Sequence, residues 1–441
     1  MSGVTVIGGG LAGVEAAFAL ARAGIPVRLV EMKPVKFSPA HRSPELAELV
    51  CSNSFKALRH SSAGGMLKAE MELLGSVCVE IAKLCSVPAG GALAVDRDAF
   101  SRLMTEKVKK EPLITLERRE VQRIPEKGTV IVAAGPLVSD TLAQDIRRIC
   151  DGSLSFFDAA APIVTADSID KSHAFTQSRY DRGGADDYIN CPMNKEEYEL
   201  FHRELVGAQS AELHAFDKQN NKKDFYEGCM PVEVLAARGL DTLRYGTLRP
   251  VGLRDPKTGH RPWAVLQLRR EDRVGRLFNL VGFQTNLKFA EQKRVFGLIP
   301  ALKNADFVRF GVMHRNTFID SPRLLNASFS FRSRPDLFFA GQITGVEGYM
   351  ESAASGILAG INAARLLQKR EPILMPAQSM LGALSNYISC EPIKDFQPMG
   401  ANFGLLPPLE ETIRDKKQRY EALAKRGLAS VAEVIKNANH C

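Results

Sequence analysis

The chain has 441 residues, room for two to four domains at about 100–200 residues each. With 45% hydrophobic and 24% charged residues it has the balance of a soluble globular protein, and no apolar run reaches the roughly 18 residues of a membrane span. The net charge of +8 suits a polyanionic partner such as nucleic acid.

Val4 to Ile7 is a short apolar run, followed by Gly8-Gly9-Gly10-Leu11-Ala12-Gly13 and an alanine-rich helical stretch from Val14 to Arg22. Its glycines break the apolar N-terminal stretch, which also lacks the basic flank of a secretory signal. Ala23 to Pro26 ends the helix, and Val27 to Glu31 is a second strand, completing a β-α-β unit. Lys33 to Pro44 reads as a loop, and Leu46 to Leu58 carries Cys51. Met66 to Leu84 reads as helix, Gly90 to Val95 as strand, and Asp96 to Val108 as a capped helix. Thr129 to Pro136 reads as a buried parallel strand. From about Asp158 aromatics and charges increase, and Trp263 to Leu268 and Leu277 to Phe283 alternate as antiparallel strands do. The first pattern returns at Leu337 to Gly341, before a glycine- and alanine-rich segment, Gly345 to Leu367. From Pro407 the tail reads as helical and basic.

In Gly8-x-Gly10-x-x-Gly13 the first glycine permits a tight turn, the second admits a pyrophosphate to the backbone, and the third lets helix and strand pack closely. The helix N-terminus offers unpaired N–H groups to the phosphates. Glu31, at the end of the second strand, is placed to bind ribose hydroxyls. A single glycine turn of this kind, together with the strand-to-helix approach from Phe339 to Gly360, favours FAD over NAD. Backbone at Ala134, Gly135, Gly341, Gln342, Gly348 and Tyr349 is expected to complete the cofactor site. The expected architecture is α/β: a Rossmann-like FAD-binding domain of the glutathione-reductase type with an inserted α+β domain. Residues 1–157 and 305–441 form the FAD-binding part, the latter with the basic tail, and 158–304 the insertion facing substrate and tRNA.

Five further segments are long enough to be diagnostic: Gly341-Gln342-Ile343-Thr344-Gly345-Val346-Glu347-Gly348-Tyr349 with Glu351 to Gly356, Ala40-His41 with Leu49 to Ser54, Glu227 to Glu233, Gly311 to Phe318, and Asn402-Phe403-Gly404. Together they resemble TrmFO, the folate- and FAD-dependent tRNA (uracil-5-)-methyltransferase family, over essentially the whole chain. The related wobble-uridine flavoproteins, MnmG or GidA, share the flavin motif but carry an added C-terminal helical domain. The resemblance implies a methylenetetrahydrofolate–tRNA-(uracil-5-)-methyltransferase that makes 5-methyluridine at the T-loop uridine (U54). The carbon would come from 5,10-methylenetetrahydrofolate and the electrons from NAD(P)H through FAD, which also carries the methylene group. A wobble-uridine modification enzyme, a flavin oxidoreductase acting on a small molecule and an FAD-bound scaffold are the other readings.

Uracil C5 becomes nucleophilic only when a thiolate adds to C6, so the reaction calls for covalent catalysis. Two of the eight cysteines, Cys51 and Cys229, fall in motifs that match the family. Cys229 is expected as the nucleophile and Cys51 as the base at C5 or a shield for the flavin; the reverse assignment stays open. Both need a lowered thiol pKa, for which Lys56 and Arg59 lie one to two helical turns beyond Cys51. The other six cysteines read as core fillers in a reducing cytoplasm, and no spacing suggests a metal site. His314, and after it His41, is a candidate to stack on the folate pterin. Asn286 and Glu347 are substrate-side candidates. The partner tRNA is expected on basic residues: Arg414, Lys416, Lys417, Arg419, Lys425 and Arg426 in the tail, and Lys222, Lys223, Arg269, Arg270, Arg273 and Arg276. A cytoplasmic monomer or homodimer, without membrane contact, is expected.

Overall fold

A computed structural model describes residues 3–152, 154–159, 161–181, 184, 186–211, 230–272, 274–311, 313–389 and 396–440. Val4–Ile7, Leu11–Arg22 and Val27–Glu31 form the expected β-α-β unit, with Val4 to Ile7 paired in parallel with Val27 to Val30. These strands belong to a six-stranded sheet ordered Ser330–Phe331, Arg334–Phe339, Val130–Val132, Val4–Ile7, Val27–Glu31, Ile114–Arg118. All neighbours run parallel except the Ser330–Phe331 edge. Val4–Ile7 and Val130–Val132 are buried along their whole length, as strands covered on both faces are. Ile7 pairs with Val132, and Val132 with Phe339, so the three central strands end level and deliver three loops to one edge.

Helix Leu11–Arg22 lies against helix Tyr349–Leu367 at backbone contact. A Cβ at Gly356 would stand 2.1 Å from the carbonyl oxygen of Ala12, and one at Gly360 2.6 Å from that of Ala16. The alanine and glycine content noted in both segments is the material for this approach, since any larger side chain would part the helices.

Three elements differ from the sequence reading. Met66 to Leu84 is two helices, Ala63–Leu73 and Val77–Leu84. Gly75 takes φ +76° between them, and the Ser76 hydroxyl accepts from Val79 N–H as a new helix cap. Buried Glu15 explains why the break falls there: its carboxylate accepts from the Val77 and Cys78 amides and from the Ser76 hydroxyl. Desolvation raises the Glu15 pKa, and these hydrogen bonds only partly oppose it. Thr129 to Pro136 is strand only at Val130–Val132, because Ala133 to Pro136 turns into the loop edge. The tail helix begins at Lys416, well past Pro407, and runs to His440. It rests on helix Ala63–Leu73, with Gly427 against Met66.

The second sheet is antiparallel: Phe175–Thr176, Tyr188–Met193, Ala264–Arg270, Leu277–Leu280, Ile163–Thr165, Phe307–Arg309. It takes in Phe307–Arg309, beyond the expected limit at residue 304. Ala264–Arg270 is buried almost throughout instead of alternating. Leu266 and Leu268 join a core with Tyr198, Phe201 and Phe283, while Val265 packs on Phe175 and Leu253. The chain passes to and from this sheet through Leu154–Ala159 and Met313–Phe318, which pair with each other antiparallel. Among the described residues no helix is long and apolar enough to cross a membrane.

The helix contact makes a stability prediction. Gly356→Ala should lower the unfolding free energy by about 1–3 kcal/mol, since the facing atom is backbone and cannot rotate away. Gly91→Ala, where a Cβ meets nothing within 4 Å, is the control. Equal denaturation midpoints for the two variants would refute the contact.

Candidate functional site

The three loops at the sheet edge border a cleft lined by Gly8 to Ala12, Glu31, Ala133 to Ser139, Gly341, Gln342, Tyr349 and Ser352. The glycines of the first turn divide by role. Gly8 has φ +105°, and a Cβ there would stand 2.4 Å from the Ala133 carbonyl oxygen. A Cβ on Gly13 would stand 1.8 Å from the carbonyl oxygen of Gly8. Both are demanded by the fold. Gly10 is not: its φ of −77° is open to any residue, and a Cβ there meets nothing within 4 Å. A ligand occupying the cleft at the head of helix Leu11–Arg22 would account for a glycine at this helix cap. This is the fit expected of a dinucleotide pyrophosphate.

Glu31 accepts from Gly9 N–H at 2.7 Å and from Lys33 N–H at 2.9 Å, so the carboxylate that faces the cleft also fixes the turn. The opposite wall is built at Gly341, Gly345 and Gly348, with φ of +85°, +83° and +121°. They bend the chain from strand Arg334–Phe339 through a short 3-10 turn into helix Tyr349–Leu367, whose N-terminus thereby meets the same cleft as the first helix. Buried Glu347 receives the Gln342 amide on both carboxylate oxygens, at 2.8 and 2.7 Å, and holds it at the rim. The structure therefore brings Gly8, Gly9, Gly10, Glu31, Ala134, Gly135, Gly341, Gln342 and Tyr349 to one cavity, with Gly13 and Gly348 shaping its two helix ends.

Cys51 stands beside this cleft, half-buried, next to Val50 in the lining. Its amide donates to the Tyr349 hydroxyl at 2.7 Å. The carbonyls around it accept from arginines: Leu49 and Cys51 from Arg97, at 2.6 and 2.8 Å, and Val50 from Arg309. Arg269 reaches the Ser52 hydroxyl at 2.8 Å and the Asn53 side-chain oxygen at 2.9 Å. Lys56, expected to serve the thiol, instead ion-pairs with buried Glu351 at 2.9 Å. Arg97, Arg309 and Arg269 bind the segment that carries the thiol, residues 49–53; the first two escape notice in the sequence because they come from distant elements, and Arg269 reads there as a tRNA contact.

Arg269 is buried, contrary to that reading; Arg270 pairs with Asp186 at 2.7 Å, and Arg276 lies 3.8 Å from Asp272. Of the described members, Arg269 is thus turned inward and Arg270 paired, while Arg276 is exposed. Lys222, Lys223 and Arg273 lie outside the described residues, as does Cys229. The segment that follows Cys229 is well fixed: Val232 N–H donates to the Gln284 carbonyl, and buried Glu233 accepts from the Thr285 hydroxyl and the Asn286 amide. His314 pairs in strand with Asp158, and its side chain lies outside the description. His41 lines the cleft near Glu31 and Glu48, with Nδ1 2.6 Å from the Ser38 hydroxyl. Burial, then Lys33, lowers its pKa, favouring neutral imidazole. Lys416 and Lys417 open the tail helix; Lys416 lies 5.5 Å over the Tyr420 ring, which stacks on Phe403. Cys78, Cys85, Cys150 and Cys191 are buried, and burial pushes Cys150 up to about 12 and Cys78 and Cys191 upward as well. They fit the role of core fillers.

Fold and cleft define a Rossmann-like flavoprotein with an antiparallel insertion. The chain belongs to the family described as glucose inhibited division protein A, whose model matches residues 3–371. It is 57% identical to a Pelotomaculum thermopropionicum protein named methylenetetrahydrofolate–tRNA-(uracil-5-)-methyltransferase TrmFO, over 97% of both chains. It is 55% identical to the Listeria innocua protein of the same name, over 98% of both chains. The resemblance read from the motifs is borne out. Among solved structures, Aquifex aeolicus GidA in its form I crystal has the same fold, with a TM-score of 0.68 at 18% identity over 99% of this chain and 78% of that one.

The division among the glycines is testable. Gly10→Ala should leave the unfolding midpoint of cofactor-free protein unchanged yet lower flavin affinity at least about tenfold, or 1.4 kcal/mol. Flavin titration followed by fluorescence measures it; undiminished affinity would remove the argument that Gly10 serves a ligand.

Proposed function

We propose that this protein methylates C5 of the T-loop uridine (U54) of tRNA, with 5,10-methylenetetrahydrofolate as carbon donor, FAD as cofactor and NAD(P)H as reductant. The observation that carries the reading is the cleft itself, at which two helix N-termini and the Cys51 segment meet, in a chain more than half identical to TrmFO proteins over its length. Bound FAD would supply the reducing electrons and the means of carrying one carbon to the base.

The chain's own residues account for the rest. Backbone N–H groups at Gly10 to Ala12, at the start of the first helix, receive the pyrophosphate, and Glu31 the ribose. Gln342, held by Glu347, and the start of helix Tyr349–Leu367 face the flavin end. The target uridine leaves its stack to reach the cleft, at a cost of a few kcal/mol (order of magnitude). The Cys229 thiolate forms a bond to C6, and the electron pair so displaced makes C5 the nucleophile toward the methylene carbon. Cys51 removes the C5 proton as the methylene carbon gives up its bond to the carrier nitrogen. That carbon then takes a hydride, the electron pair that NAD(P)H would supply through bound FAD, and becomes the methyl group while the S–C6 bond breaks, returning the thiolate and the C5=C6 double bond. The guanidinia of Arg97, Arg269 and Arg309 put positive charge where Cys51 has to act. His314 is the candidate for the outer face of the pterin, and Asn286, tied to the segment after Cys229, lies on the substrate side. Lys416 and Lys417 supply phosphate contacts from the tail.

Unmodified tRNA transcript, given labelled methylenetetrahydrofolate and NADPH or NADH, should yield labelled 5-methyluridine; absence of label with flavin reduced and folate present would sink the proposal. Cys229→Ala should abolish transfer with FAD retained, and near wild-type turnover would move the nucleophile elsewhere. A 5-fluorouridine transcript, trapped and mapped by peptide, decides between Cys229 and Cys51. Lys416→Ala with Lys417→Ala should reduce the slope of log affinity against log salt by about 1 per lysine. An unaltered slope places the RNA away from the tail.

A further inference from the structure

We infer that the buried pair Arg97–Glu271 is a positioning device that ties the Cys51 segment to the antiparallel sheet, so that the thiol is held in its working place only when that sheet is docked. The inference rests on the reading of Cys51 as a thiol of the reaction.

The contacts around residues 49–53 form a closed set. Arg97 presents Nε to one oxygen of Glu271 at 2.5 Å and Nη2 to the other at 3.2 Å. With the hydrogens left over it donates to the carbonyls of Leu49 and Cys51. Glu271 follows directly on strand Ala264–Arg270 of the second sheet, whereas Arg97 opens helix Arg97–Lys110 of the first unit. A second tie runs parallel to the first: Arg269 holds Ser52 and Asn53, and the Asn53 amide donates to the Arg270 carbonyl at 2.9 Å and to the Val95 carbonyl at 3.0 Å. A strand of one sheet thus grips a loop of the other at consecutive residues.

Two features argue against a merely structural part. Arg97 is the first residue of its helix, where the helix dipole opposes a cation. A buried ion pair is also a poor way to gain stability, since apolar residues of like volume often do as well or better. What the pair provides and an apolar pair cannot is a planar fork of donors that fixes two carbonyls on either side of a single residue, Val50, at the wall of the cleft.

The test uses full-length, flavin-loaded protein. Glu271→Gln keeps the shape and weakens the fork. The double variant Arg97→Met with Glu271→Leu removes both charges together, so that neither is left buried and unpaired. Each is read by kcat and KM for tRNA and by the rate at which iodoacetamide alkylates Cys51, followed by peptide mass spectrometry. Both variants should lower kcat by roughly tenfold to a hundredfold, the cost of displacing a reacting group by about 1 Å, with KM within about twofold. Cys51 alkylation should change severalfold, while that of buried Cys191 does not. A flavin-loaded variant with wild-type kcat and wild-type Cys51 alkylation overturns the inference. Cys51→Ala, run alongside, separates the two claims. If it stays active, the reading of Cys51 fails; if it is inactive while the double variant is active, only the positioning role fails.

Discussion

The contact between helices Leu11–Arg22 and Tyr349–Leu367 governs the molecule. Gly356 and Gly360 let the second helix ride on the carbonyls of Ala12 and Ala16, and no side chain separates the two backbones. Each helix begins at the end of a strand in one parallel sheet, and the strands end level. Close packing therefore fixes the separation of two positive helix ends that open onto one cleft. The cleft is the space that this geometry leaves. Tyr349 extends the same rigidity by one step, because its hydroxyl takes the amide of Cys51.

Around that frame, polar groups are used where apolar packing would not give direction. Glu15 sets the start of a helix, Glu31 the glycine turn, Glu347 the Gln342 amide, and Glu351 the Lys56 ammonium and the Ala401 amide. Each is a buried carboxylate: Glu15 and Glu31 accept mainly from backbone amides, Glu347 from a side-chain amide, and Glu351 from one ammonium and one backbone amide. Such groups add little net stability, but each leaves a desolvated charge if its partners move, so alternative arrangements of the loops are excluded.

The dinucleotide unit was legible because its signals are local. Val4–Ile7, the glycine turn and Glu31 lie within one short stretch, and each residue type there has a single steric reason. The break at Gly75–Ser76 was less so, since a buried partner from another helix, Glu15, selects the position. Arg269 shows the limit most clearly. Beside Arg270 it looks like surface charge, yet strand alternation is suspended in a segment covered on both faces, and the guanidinium turns inward to Asn53. Arg97 and Arg309 could not be assigned to Cys51 at all, because sequence separation carries no information about which loop a long side chain will reach. Only the family motifs single out Cys51 and Cys229, which local physics does not distinguish from the other cysteines.

The paired crossing segments have an implication for how such a chain is put together. Leu154 pairs with Phe318 across the ladder, so the two segments that lead to and from the second sheet lie one strand spacing apart, about 5 Å. Everything between them could be exchanged as a cassette, and a short turn would close the gap. A core built this way can exchange its second sheet without re-threading any of its own strands.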